Sequence, residues 1–539
     1  MKTKNKISKL VATAAITVAA IAPSMAQNNL GQSCGCPLVS ARTTTVLLST
    51  LTNTVAGPTN GQLLADAVLT CDKMYILDDK VYVGDGQSLT INPGVVIKGR
   101  FVAAGSNANA LIVSKGGKIF ANGTESCQIV FTAEEDPMNG SYGLINKGKW
   151  GGIVVLGKAK NNLKVGNTLS ASGVDGVGFI EGYVAAEPLN QFGMPVGSEN
   201  DNDNSGIMTY VSIRHAGAIV GVNNELNGLT LGSVGRGTTL HHIEVISNLD
   251  DGIEFFGGTV DLKYGSVMFN DDDGFDWDLG WTGRGQFWSV VKTDQTTAAG
   301  GDNGFEADGD DNKTFNNTFL SNPTIYNATF VGSNNINGVV TTKGRGIEGK
   351  EETKGIIRNS ILANYQTGFN LANDAAARTS AKDAYQNWLA GSFIVECNTF
   401  VGNTNLFRVN NVNVAAGSAD EIKFLTTDKN VSAPSIAGFD FLHTVNVNTN
   451  VFSDKYDLVP TANLATTCPA APADGFFTPA NYRGAFESNK KSWLSAWSIG
   501  AYWNGTQGLV PCPTDINGDG VSNAADVSAI LGVYGTSCQ

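Results

Sequence analysis

Twelve residues near the C-terminus carry the most specific chemistry in the chain. Asp515-Ile-Asn517-Gly-Asp519-Gly520-Val521-Ser-Asn523-Ala-Ala-Asp526 sets oxygen donors at positions 1, 3, 5, 7, 9 and 12, the spacing by which a loop wraps calcium. Asp515, Asn517, Asp519, Asn523 and Asp526 would bind through side chains and Val521 through its carbonyl, while Gly520 permits the sharp turn. Asp526 stands where a bidentate Glu is usual. Val527, Ile530, Leu531 and Val533 then give an apolar helix face, and Cys512 and Cys538 flank the unit. Calcium is the one cofactor this pattern implies.

A second group of carboxylates recurs along the chain. Asp250-Asp251-Gly252-Ile253-Glu254 returns as Asp272-Asp273-Gly274-Phe275-Asp276 and again as Asp302-Asn303-Gly304-Phe305-Glu306. Segments stacked on successive coils would turn Ile253, Phe275 and Phe305 inward and line one outer face with Asp251, Glu254, Asp273, Asp276 and Glu306. Stacked carboxylates repel unless a cation or proton intervenes. Calcium bridging the stack and acid/base cleavage of a glycoside are the two chemical readings; a turn-forming ladder without chemistry is the third. The basic groups of this region, Arg214, His215, His241, His242, Lys343 and Arg345, include candidates for the base of a lyase. Nothing in the sequence sets any of them beside the acids, and no catalytic residue is assigned.

The elements that must hold these groups are short strands. The chain has 64 Gly and 15 Pro in 539 residues, with 42% hydrophobic residues; β-branched runs alternate with Gly, Asn and Asp turns. Examples are Val95-Val-Ile97, Ala110-Leu-Ile-Val113 and Met208-Thr-Tyr-Val-Ser-Ile213. Runs recur at roughly 20 residues, a solenoid period; Ile91 to Ile112 and Ile97 to Ile119 are read as such steps. The expected fold is all-β, a right-handed parallel β-helix with a short helical insertion at 372–389, N-capped by Asp374, and a small EF-hand-like unit at the end. Residues 1–26 read as a signal peptide, with basic Lys2 to Lys9, an apolar Leu10 to Ala22 and a small-residue cleavage site before Gln27. The further divisions are 27–75, an N-terminal lead-in or cap; 76–465, the β-helix; 466–510, an aromatic cap or joint closing its end; and 511–539, the calcium unit.

Export places the 8 cysteines in an oxidising compartment, where a few staples of undetermined pairing are expected. The net charge of −13 excludes a phosphate-backbone partner, which needs clustered Lys and Arg. No later segment is long and apolar enough to span a membrane. Extracellular polysaccharide or cell-surface components are the partners that remain.

The Asp515 unit resembles the dockerin type I family over about 25 residues, with one repeat where a full dockerin has two. A wider resemblance rests on Leu89-Thr-Ile-Asn-Pro-Gly-Val-Val-Ile-Lys-Gly99, Trp150-Gly-Gly-Ile-Val-Val-Leu-Gly157, Asn224-Glu-Leu-Asn-Gly-Leu-Thr-Leu231, Asp250 to Thr259 and Phe477-Thr-Pro-Ala-Asn-Tyr-Arg-Gly-Ala-Phe486. These segments are similar to exported β-helix proteins of Bacteroidetes without assigned function. That likeness implies fold and export and brings no catalytic residues. Asp250-Asp251-Gly252-Ile253 also resembles, weakly, the Asp-Asp motif of polygalacturonase-type hydrolases, whose Gly-His-Gly motif is missing. The reading that results is a secreted or cell-surface, calcium-binding β-helix of structural, adhesive or glycan-contacting role. The alternative is a polysaccharide lyase or glycoside hydrolase using the acidic face.

Overall fold

The structure, a computed structural model, describes residues 30–101, 108–170, 172–180, 187–221, 224–292, 303–310, 318–334, 344–378 and 380–504. The signal segment, Lys343 and the whole Asp515 loop lie outside these residues.

Parallel pairing runs through the chain as an all-β solenoid. One sheet of 11 strands holds the acidic repeats. Its strands are β1 (Val81–Val83), β2 (Leu111–Val113), β3 (Ile153–Leu156), β4 (Leu229–Gly232), β5 (Ile253–Phe256), β6 (Phe275–Asp278), β7 (Phe305–Asp308), β8 (Arg345–Lys350), β9 (Thr367–Leu371), β10 (Asn405–Val409) and a short antiparallel β11 (Val412–Asn413). The other large sheet, of 19 strands, contributes two faces. Its long strands Gly206–Arg214, Thr239–Ile246 and Asp261–Met268 run through both faces, and the register skips Tyr210, His242 and Tyr264. Those residues have φ of 50°, 54° and 59°; a single left-handed residue makes each corner. Their rings stack, Tyr210 on His242 at 4.2 Å and His242 on Tyr264 at 4.3 Å.

The lumen is filled in layers. Leu229, Ile253, Phe275, Phe305, Ile347 and Phe369 follow one another in register from β4 to β9, all with no exposed surface. Burying each such side chain contributes roughly 2–3 kcal/mol, and each coil buries them against the coils above and below.

Coil length is not uniform. Leu240 pairs with Leu262, 22 residues on, Ile97 with Phe131, 34 on, and Ile153 with Leu229, 76 on. The sequence steps Ile91 to Ile112 and Ile97 to Ile119 are therefore not stacked pairs: Ile91 faces Ala121, and Ile112 sits between Tyr82 and Val154 in the other sheet. Loops at the corners take up the difference, so a fixed period misassigns faces.

Both ends differ from the sequence reading. Parallel pairing starts at Thr44–Leu47, which pairs with Lys73–Leu77, inside the expected lead-in. It stops at Val431–Ala433. The C-terminal end is plugged by Phe424, fully buried beside the short helix α2 (Ala419–Ile422) and stacked on Phe369 and Phe407 at 5.6 and 5.0 Å. The aromatic stretch after 466 closes no end. It runs back along the flank as a strap: Gln286 Nε2 donates to the Thr478 carbonyl (2.7 Å), Asn327 Nδ2 to Tyr482 (2.7 Å), Gln128 Nε2 to Trp497 (3.3 Å), and Trp503 Nε1 to Gly140 (2.9 Å). Trp497 and Trp493 cover the corner rings.

Disulfides join Cys34 to Cys127, Cys36 to Cys71 and Cys397 to Cys468; the last ties strap to solenoid. The helical insertion is a single 3-10 turn, Ala375–Ala377, and a helix α1 (Ala384–Leu389). Its N-cap is Asp383, not Asp374: Asp383 and Gln386 form a capping box, and Asp374 caps nothing with its side chain. Among the described residues no helix is long and apolar enough to cross a membrane.

Candidate functional site: an acidic cleft on the β-helix

Each residue of the repeated acidic segment has a separate physical task. Asp251 Oδ1 accepts from the Asp273 backbone N–H at 2.8 Å, and Asp273 Oδ1 accepts from that of Asn303. Asn303 Oδ1 accepts from Arg345 N–H at 3.0 Å. The second polar residue of each segment thus ties its coil to the next. Glycine follows because a Cβ on Gly274 would lie 2.5 Å from Val290 Cγ2 and 2.9 Å from the Gly304 carbonyl. The next residue, Ile253, Phe275 or Phe305, enters the lumen. The last faces outward, and Glu254, Asp276, Glu306 and Glu348 lie in register across β5, β6, β7 and β8.

The five sequence-predicted residues come together. Asp251, Glu254, Asp273, Asp276 and Glu306 line one open cleft of about 340 Å³, joined by Glu225, Asp250 and Asp272. Asp251, Glu254 and Asp273 are more than nine-tenths buried. Oxygens of Asp250, Asp251 and Asp272 lie within 4.8 Å of one another, as do those of Asp251, Glu254 and Asp276. Two oxygens on one calcium, each bound at about 2.3–2.6 Å, can be no more than about 5 Å apart, so both triads fit. One oxygen of Asp276 is fully enclosed without a hydrogen-bond partner, as a ligand atom would be.

Electrostatics agree with a site that wants a cation. Burial, then the Asp250 and Asp272 charges, push Asp251 well above the usual carboxylate range. Burial and Glu306 do the same to Asp273 and Asp276. Glu306 goes the other way: burial opposes its charge, but a hydrogen bond to Asp273 and the Lys350 ammonium bring it to about 2. At the end of the row burial raises Glu348 to about 7 despite Arg345.

The basic candidates stand elsewhere. Arg214 is buried and donates to Ser212 at 2.9 Å. His215 bonds the Asn146 carbonyl through Nδ1 at 2.6 Å, and burial lowers it to about 4. His241 and His242 sit at the strap-covered corner. Arg345 pairs with Glu348 at 2.5 Å and is not among the cleft's lining residues. Sequence reasoning missed Lys292, whose ammonium is fully buried behind the cleft. Its Nζ donates to Asn270 Oδ1 at 2.7 Å and to the Asp272 carbonyl. A repeat of 22 residues would not have found it: Val291 pairs with Met268, 23 residues back, so Lys292 stands in register with Phe269 and only its side chain reaches Asn270.

The model of the pectate-lyase-like β-helix domain matches residues 61–435. The chain belongs to that family. The match spans β1 to β11 and ends before the strap. Among solved structures, the pectate-lyase-like chain is similar to the crystal structure of PfbA, a surface adhesin of Streptococcus pneumoniae. That likeness has 10% identity, 67% of this chain and 80% of that chain covered, and a TM-score of 0.25. No curated protein matches the sequence.

Proposed function

We propose that this chain is an extracellular β-helix protein of structural or adhesive role, whose acidic cleft binds calcium and through it contacts acidic polysaccharide or cell-surface components. The observation that carries the reading is the cleft itself. Eight carboxylate side chains line it and no basic one does, a lining that suits a cation, since stacked carboxylates repel unless a cation or proton intervenes. Three disulfides fit an oxidising location. The acidic-glycan class comes from the family's pectate-lyase name, and a calcium ion held by Asp251, Glu254 and Asp276 would supply the positive charge such a ligand needs. A second calcium position is proposed at the Asp515 loop, through Asp515, Asn517, Asp519, Val521, Asn523 and Asp526.

Calcium titration of the whole protein by calorimetry tests the reading. Asp251→Asn with Asp276→Asn should remove one class of sites, and Asp515→Ala with Asp519→Ala another. A glycan array run with calcium and with chelator should show calcium-dependent binding to uronate-containing chains. Formation of unsaturated sugar products on those chains would replace the adhesive reading with a lyase.

A further inference from the structure

The last described residue, Asn504, ends the helix α3 (Ile499–Asn504) and donates from Nδ2 to the Tyr456 carbonyl at 2.8 Å. Tyr456 lines an open cleft of about 410 Å³ within the strap. Leu458, Leu494 and Ala501 give it an apolar floor, and Lys490 and Lys491 bring two ammonium groups against the single carboxylate of Asp457. Lys491 also meets Glu125 at 3.5 Å, but both side chains are about half exposed, and such a pair holds weakly.

The chain that leaves at this rim has the matching chemistry. Residues 505–539 contain Asp515, Asp519 and Asp526 and no Lys, Arg or Glu. They also carry Val527, Ile530, Leu531 and Val533 at helical spacing. The stretch from Asn504 to Asp515 spans up to about 35 Å extended, so reach does not limit contact. A tether of that length holds its far end at roughly millimolar effective concentration, enough to populate a weak contact.

We infer that this strap cleft is the docking site of the chain's own segment 505–539 when its Asp515 loop is free of calcium, its aspartates against Lys490 and Lys491 and its apolar side chains on the floor. Docking there sets the C-terminal unit beside the coils near Gly140 rather than at the far end of the solenoid.

Zero-length carbodiimide cross-linking of the full chain is the test. It is done in chelator, so that no metal occupies the aspartates, on an equal mixture of isotopically light and heavy protein. The expected result is cross-links from Lys490 or Lys491 to Asp515, Asp519 or Asp526 within one chain, lost in Lys490→Glu with Lys491→Glu. Amide exchange of 456–461 and 489–495 should be slower in the full chain than in that charge-reversed variant. The Lys491–Glu125 cross-link reports that the chemistry works. Its appearance without any link to the tail, and with unchanged exchange, overturns the inference. Tail links found only between light and heavy chains overturn it too, and assign the cleft to a second copy.

Discussion

Lys292 follows Val291, which pairs with Met268, so it stands in register with Phe269 of the preceding coil, and its ammonium, lowered by burial to about 8, puts a positive charge behind the acidic cleft. An internal ammonium lowers the repulsion among Asp251, Asp272 and Asp273 and competes with any bound cation. Lys292→Gln should therefore tighten calcium by about tenfold, roughly 1.4 kcal/mol, and lower the melting temperature in chelator; calorimetry and thermal melts with and without calcium read both. Protons compete for the same oxygens. Asp251, Asp273 and Asp276 are raised from the usual value of 3.8, so above that value the cation-free folded state binds more protons than the unfolded chain. Acidification then stabilises the cation-free protein while it displaces calcium. The gain in melting temperature from calcium should shrink steadily as pH falls from 8 towards 5. A pH-independent gain would place the cation elsewhere. His215 and His242, lowered by burial to about 4 and about 3, destabilise the fold between those values and 6.5 with or without calcium. They cancel in the difference.

At the scale of elements, the Asp-Gly-apolar-acid segment is a unit of coil stacking before it is a unit of chemistry. Gly274 has no room for a methyl group between Val290 and the Gly304 carbonyl, so Gly274→Ala should cost about 1–3 kcal/mol, seen as a shifted denaturant midpoint. The strap is held in a comparable way. Glu244 is fully buried on the long strand Thr239–Ile246, and its carboxylate accepts from Ser498 Oγ and from the backbone N–H groups of Ile499 (3.3 Å) and Gly500 (3.2 Å). It anchors the start of α3, where a negative charge also meets the helix dipole. Glu244→Ala leaves those donors buried and unmet, a loss of about 2–4 kcal/mol. Chymotrypsin should then cut first within 477–503, with the solenoid strands intact.

For the whole molecule, continuity of the lumen from Leu48 to Phe424 predicts a single cooperative unfolding transition for the coils. Reducing Cys397–Cys468, or Cys468→Ser, should release the strap below that transition and shift Trp493 and Trp497 fluorescence to longer wavelength. Two equal, independent transitions would contradict a shared core. Much of this was legible in sequence. Apolar runs between Gly, Asn and Asp turns, recurring at roughly 20 residues, pointed to a parallel β-helix, since that is the period of a solenoid rather than of a sandwich. The intervals of 22 and 30 residues between the acidic segments placed Asp251, Glu254, Asp273, Asp276 and Glu306 on one face, because those coils carry their strands in unbroken register. Tertiary structure decided the rest. Loops of unequal length at the corners hide the true partners of Ile91 and Ile97. Lys292 reaches the cleft only through the fold of its coil, and Asp250, Asp272 and Glu225 join it only there. The aromatic stretch after 466 covers a flank rather than an end, because the left-handed corner residues turn Tyr210, His242 and Tyr264 outward into a ridge of stacked rings that no periodicity announces.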